Sequence, residues 1–244
     1  MKQKSLFLKK TLIVISFLGA LYAVLSLPIF YVDYIDITGN NKFSDKYIKD
    51  AIFPNKVTAL YKFSGVAAAR VLKKNPYIAE ARFTRTFPDK LAIEITERTT
   101  SGYVEYINGE YIYIDEEGIV LEVAPFFAEQ LPVVVGLNFS AFSLGQPILP
   151  ENSSAFNVLI ELQYLFNRYG LEHDIIRVDL SDENNVHLFL YNIDIEFGGI
   201  ANADEKIRAL KEVLYKIPDY ENVKGFLDMN AIHKNELARF RRLT

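Results

Sequence analysis

The chain has 244 residues, half of them apolar, with 27 Lys and Arg against 31 Asp and Glu and no cysteine. Without cysteine there are no disulfides and no thiolate metal sites, so stability comes from packing. Setting aside Lys2, Lys4, Lys9 and Lys10 leaves 23 basic residues against 31 acidic ones, a charge of about −8 that disfavours nucleic acid and anionic lipid.

Leu12 to Val32 contains no Asp, Glu, Lys, Arg or His, a run of about 21 residues, enough to cross a bilayer as a helix. The lysines precede it and Asp33 and Asp36 follow it. The run therefore reads as a single membrane anchor, with residues 1–11 as a cytoplasmic tail and everything after 32 outside the cell membrane. The rival is a cleaved signal peptide, but the run exceeds the usual apolar core of about 7–15 residues and no Ala-x-Ala site closes it.

Beyond the anchor, Asp33, Ile35 and Ile37 alternate with Tyr34, Asp36 and Thr38 up to Gly39-Asn40, a short strand and a turn. Ser44 can cap a helix that places Tyr47, Ile48, Ala51 and Ile52 on one face and ends at Pro54. A second helix begins near Ser64, carries Arg70, Lys73 and Lys74 at its end, and closes at Asn75-Pro76. The period then returns to two. Ala81, Phe83 and Phe87 form one strand face, and after Pro88-Asp89 a second strand places Leu91, Ile93 and Ile95 on its inner face. The order is β-α-α-β-β, in which two helices cover one face of a three-stranded sheet.

Thr38-Gly39-Asn40, Ser44, Asn75-Pro76-Tyr77-Ile78 and above all Phe87-Pro88-Asp89-Lys90-Leu91-x-Ile93-x-Ile95-x-Glu97-Arg98 resemble the POTRA domain of the FtsQ/DivIB family of bacterial cell-division proteins. Its place directly after one anchor fits the same family. The spacing alone fits any small α+β module as well.

From Ser101 the chain changes character. Tyr103–Ile107, Asn108-Gly109 and Tyr111–Asp115 read as a hairpin with a type I′ turn, followed by Ile119–Val123 as the third strand of a meander. Tyr-Ile-Asp-Glu-Glu-Gly again resembles the family's second domain. Val133-Val134-Val135 reads as a buried strand and Phe139–Asn152 as loop. Ser153–Tyr169 has helical spacing. Strands are expected at Ile175–Leu180, Val186–Leu190 and from Ile193, with a tight turn or bulge at Tyr191-Asn192, where apolar parity flips. Asn202 with Glu205 is a capping pair for a helix reaching Ile217 and stopped by Pro218. Val223–Met229 reads as the final strand. The basic residues that follow, Lys234, Arg239, Arg241 and Arg242, leave a frayed tail and one more strand both open.

Groups for catalysis do not converge in the sequence. It lacks His-Glu-x-x-His, Gly-x-Ser-x-Gly and Ser-x-x-Lys, the signatures of zinc proteases, α/β-hydrolases and Ser/Lys enzymes. His173, His187 and His233 are isolated. Glu94, Asp194 and Glu196 alternate with apolar residues, as on the wet face of a sheet. Gly198-Gly199 lacks the companions of a phosphate loop and reads as a turn. No catalytic, cofactor or metal residue is expected, and the function is placed in contact rather than reaction.

The expected architecture is α+β: a tail (1–11), a transmembrane helix (12–32), a POTRA domain (33–98), a mixed, mainly antiparallel β domain with two helices (99–230) and a C-terminal tail (231–244). The resemblance implies a bitopic scaffold at the division septum. Its implied partners are the small coiled-coil division proteins FtsB (or DivIC) and FtsL, together with other divisome components. It also implies the contact: the last strand, Val223, Lys224, Gly225, Phe226, Leu227, Asp228 and Met229, plus the outer face of the helix before it. Physically, a final strand with a free backbone edge is a template for β-augmentation. The alternatives are a POTRA-bearing component of outer-membrane assembly or secretion, and a membrane-anchored cell-wall enzyme. The first usually ends in a β-barrel, and this chain lacks the succession of alternating strands a barrel needs.

Overall fold

The computed structural model describes residues 2–54, 58–126, 130–151, 153–230, 232 and 239–243, and divides them into two compact units, Met1–Glu97 and Arg98–Thr244.

The first unit opens with α1, Lys2–Leu25. This helix starts within the lysine-bearing tail and stops seven residues before the expected end of the apolar run. Ser26 N–H closes its last turn on Tyr22 O at 3.0 Å, and a 3-10 turn at Pro28–Phe30 follows, because proline has no N–H to extend the ladder. Val32, expected in the anchor, is instead buried in the unit's core, its N–H bonded to Thr58 O. Among the described residues no helix is long and apolar enough to cross a membrane.

The rest of the unit follows the β-α-α-β-β order: β1 (Tyr34–Thr38), α2 (Asp45–Ile52), α3 (Gly65–Leu72), β2 (Ile78–Thr86) and β3 (Lys90–Glu97). Ser44 and Ser64 cap the two helices by accepting from Tyr47 N–H and Ala67 N–H. The sheet order is β1-β3-β2, with β1 parallel and β2 antiparallel to β3. Ile48, Leu60, Leu72 and Ile93 lie in one buried cluster on the helical side. Phe87, expected on a strand face, is exposed in the hairpin turn, where its bond to Pro88 is cis.

The second unit is built on one sheet of nine described strands in the order β14-β13-β12-β11-β10-β7-β4-β5-β6. These are β4 (Gly102–Glu105), β5 (Tyr111–Ile114), β6 (Val120–Ala124), β7 (Val133–Val135), β10 (Arg177–Asp179), β11 (Val186–Leu190), β12 (Ile193–Gly198), β13 (Gly225–Asp228) and β14 (Arg239–Arg242). Two helices, α4 (Ser153–Tyr169) and α5 (Ala203–Lys216), connect the parallel pairs β7/β10 and β12/β13. Parallel neighbours need such crossovers, and both helices lie on one face, where Leu159, Phe166, Ile207 and Leu210 meet Leu188, Ile195 and Leu227 in one core.

Three local expectations are corrected, and a fourth, the choice between a turn and a bulge at Tyr191-Asn192, is resolved. The Asn108-Gly109 hairpin is not a two-residue type I′ turn. Its loop is a 3-10 turn over Ile107–Gly109, with Gly109 left-handed and Tyr106 N–H bonded to Glu110 O, the longer loop that also suits a hairpin. The stretch expected as loop contains a small pair, β8 (Phe139–Ala141) with β9 (Leu149–Pro150). Asn202 does not cap α5 through its side chain; it takes a left-handed conformation and its carbonyl receives Lys206 N–H. The parity flip at Tyr191-Asn192 is a tight turn with Tyr191 at φ 49°, and the bulge lies elsewhere, at Val186/His187.

Candidate partner-binding edge

The residues expected to form the recognition edge are Val223 to Met229. Their central part is β13, and it is not an edge. It lies between β12, to which it runs parallel, and β14, to which it runs antiparallel. Gly225 N–H bonds Asn192 O and Met229 N–H bonds Glu196 O on one side, while Leu243 N–H bonds Lys224 O on the other. Leu227 is fully buried. The outermost strand is β14, in the part of the chain where sequence patterning left a frayed tail and a strand both open.

The reason this basic stretch pairs is local. Phe240, opposite Leu227, is half-buried and packs onto the core. Its ring fills the space beside Gly225, where a Cβ would lie 2.4 Å from the ring, so β14 can close against β13 only where β13 has a glycine. On the face away from the helices, the Arg241 guanidinium lies over the Phe226 ring, 5.6 Å from its centroid.

Antiparallel pairing alternates bonded and non-bonded residue pairs. Because the Lys224/Leu243 pair is bonded, so is Phe226/Arg241, and the N–H groups of Phe240 and Arg242 point away from the sheet. Among the described residues no strand receives them. The opposite edge of the sheet is different. There the loop before β9 pairs with the start of β6: Val120 N–H bonds Gln146 O at 2.9 Å, Gly145 N–H bonds Val120 O at 2.7 Å, and Ile119 bridges Pro147. One edge is paired at its start by the chain itself, and the other ends on a strand carrying Arg239, Arg241 and Arg242.

The outer face of α5 exposes Glu205, Arg208, Glu212 and Tyr215. A cavity of about 430 Å3 opens between the ends of α4 and α5, floored by Leu171 and Leu214. On its wall the Tyr220 hydroxyl donates to Asp174 at 2.7 Å, which holds that phenol above its ordinary pKa. The Lys211 ammonium donates to the Tyr169 carbonyl.

The histidines serve local bonds. His187 Nδ1 lies 2.8 Å from Asp194 Oδ1, His173 Nδ1 lies 3.0 Å from Gln130 O, and His233 falls outside the described residues. No three His, Asp or Glu residues gather as a metal site among the described residues.

Residues 30–98 match the family model described as POTRA domain, FtsQ-type. Along more of its length the chain is similar to "Cell division protein DivIB" of Clostridium tetani, 26% identical over 83% of this chain and 77% of that protein. A DivIB from Clostridium botulinum is 22% identical over 94% of this chain and 90% of its own length. "Cell division protein FtsQ" of Bartonella bacilliformis is 29% identical over 44% of this chain and 35% of that protein. An FtsQ-type POTRA domain in the first unit, and similarity to cell-division relatives over most of the chain, support a place in the FtsQ/DivIB family of bacterial cell-division proteins.

Proposed function

We propose that this protein is a single-pass membrane scaffold of the division septum, and that it binds a small coiled-coil division protein of the FtsB/DivIC or FtsL type along the outer edge of β14. The observation that carries the reading is the asymmetry of the large sheet: the start of the β6 edge, at Ile119 and Val120, is paired by the chain's own loop, while the outward N–H groups of Phe240 and Arg242 have no described partner. A partner strand laid antiparallel or parallel to β14 would satisfy them by β-augmentation. Three arginines on so short an edge also defend it against indiscriminate pairing, which favours an acidic partner segment. The predicted strand Val223–Met229 then acts from one position inside, as the support on which β14 is laid.

The anchor in this reading is α1 and the uncharged residues after it. Leu12, Ile13, Phe17 and Tyr22 each expose more than half of their surface, and an isolated helix with such a surface has no reason to stay in water. Its helical apolar part, Leu12–Leu25, is only about 21 Å long at ~1.5 Å per residue, so Ser26–Phe30 must complete the passage to the first domain.

Arg242→Pro tests the edge without touching the ladder to β13, because the lost N–H is an outward one. The expected result is loss of co-purification with the coiled-coil partners and a near-normal thermal melt. Unchanged co-purification with a near-normal melt would remove β14 as the recognition edge.

A further inference from the structure

A second cavity, of about 190 Å3, lies against the C-terminal half of α4, six strands away in sheet order from β14. It is lined by Ser101 ahead of β4, the exposed Glu116 in the turn after β5, Leu131, Gln163 and Phe166 of α4, and Glu172 and His173 just beyond that helix. Gln163 is 4% exposed, yet neither its amide oxygen nor its amide nitrogen has a hydrogen-bond partner among the described residues. The same holds for Ser101 Oγ and Glu172 Oε2, both buried. Buried polar atoms are nearly always paired, and a fold gains nothing from four unpaired ones at a single spot.

Gln163 is held in this position by close packing. A Cβ on Gly102 would lie 2.9 Å from its Nε2, so the glycine at the start of β4 makes room for the amide. A leucine at 163 would suit the surrounding core better.

The chemistry of the unpaired atoms is selective. Ser101 Oγ, Gln163 Oε1 and Glu172 Oε2 are three acceptors, one of them anionic. Glu116 adds a second carboxylate, and no Lys or Arg lines the cavity. Three acceptors beside negative charge suit the three N–H donors of a primary ammonium. Leu131 and Phe166 offer apolar wall for an alkyl stem, and Gln163 Nε2 remains free to donate to a carbonyl or carboxylate on the same ligand. Among the described residues no three His, Asp or Glu side chains gather here as a metal site.

We propose that this cavity binds a primary ammonium group on a short alkyl stem, supplied either by a small free amine or by a lysine side chain of another polypeptide. The site is independent of the β14 edge and stands or falls separately from it.

The test is calorimetric titration of the full chain in non-ionic detergent with n-butylammonium chloride, the α-amide of N-acetyl-lysine and tetramethylammonium chloride. Saturable binding of either primary amine is expected, with tetramethylammonium, which has no N–H, silent. Glu172→Gln keeps the shape and should weaken binding by about tenfold or more, the weight of one charge-assisted hydrogen bond. Gln163→Leu should abolish binding while the melting temperature holds or rises. Tighter binding of the lysine derivative assigns the site to a polypeptide, and tighter binding of butylammonium to a free amine. Absence of saturable heat with both amines, equal binding of tetramethylammonium, or unchanged affinity in Glu172→Gln would overturn the proposal and leave the cavity to ordered water.

Discussion

Glu97 and Arg98 are adjacent in sequence and hold down two different segments. The Glu97 carboxylate accepts from the backbone N–H groups of Asn41 (2.9 Å), Lys42 (2.6 Å) and Phe43 (3.1 Å), fixing the turn after β1. The Arg98 guanidinium bonds the buried Asp115 and, at 2.9 Å, Glu117, fixing the turn after β5. The Glu-Arg pair that marks the family's motif is thus two staples, one in each unit, which spacing in the sequence cannot reveal. Lys206 is a third residue with a hidden task. It is 3% exposed and donates to Phe197 O at 2.8 Å and Gly199 O at 2.9 Å, tying down the loop between β12 and α5. Burial lowers its pKa below the ordinary 10.5. The charged form is the one the fold disfavours, so Lys206 adds stability as pH rises through its folded pKa toward 10.5. Tyr220, its pKa raised by the bond to Asp174, acts in the opposite sense: its contribution is fully present below 10.0 and is lost as pH rises through its folded value. Comparing Lys206→Met with the parent by urea denaturation isolates the lysine. The substitution should cost about 1–3 kcal/mol near neutral pH, because two buried carbonyls lose their donor, and the alkaline gain due to Lys206 should vanish from the difference curve.

Elements with an internal period were legible in the sequence, and those defined by their neighbours were not. Ser153–Tyr169 shows its apolar residues at helical spacing and is helical over those same residues. Val186–Leu190 alternates and is a strand over those same residues. β14 carries almost no pattern: three arginines surround one phenylalanine, and it exists as a strand because Phe240 fits beside Gly225. An edge is a property of the sheet order, and sheet order depends on long-range pairing that periodicity does not encode. Hence the last clearly patterned strand, Val223–Met229, reads as the edge when it is one strand inside. The consequence is measurable. Leu227→Pro removes an N–H facing β12 in a fully buried position, so the second unit should lose about 3 kcal/mol or more, by analogy with proline in other ordered ladders, and its thermal melt should collapse. A near-normal melt for Leu227→Pro would mean that β13 is not held between two strands. The unpaired atoms around Gln163 were illegible for the same reason, since they come from three separate places in the chain, Ser101, Gln163 and Glu172.

At the scale of the whole molecule, the scaffold reading joins an anchor, an FtsQ-type POTRA domain and a sheet with one open edge. In that reading, Lys2, Lys4, Lys9 and Lys10 ahead of the apolar run and Asp33 and Asp36 after it would orient the anchor with its N-terminus in the cytoplasm. A reporter active only outside the cytoplasm should therefore work when fused after Thr244 and fail when fused before Met1; the reverse pair of outcomes would invert the topology. The central claim, that the partner completes the ladder on β14, is tested most directly by amide hydrogen exchange of the full chain with and without the coiled-coil partner. Completion of the ladder predicts that the Phe240 and Arg242 amides exchange fast in the isolated protein and become protected when the partner is added, while the Val120 amide already held by Gln146 is unchanged. Partner-dependent protection along β6, or none at Phe240 and Arg242 under saturating partner, would contradict it.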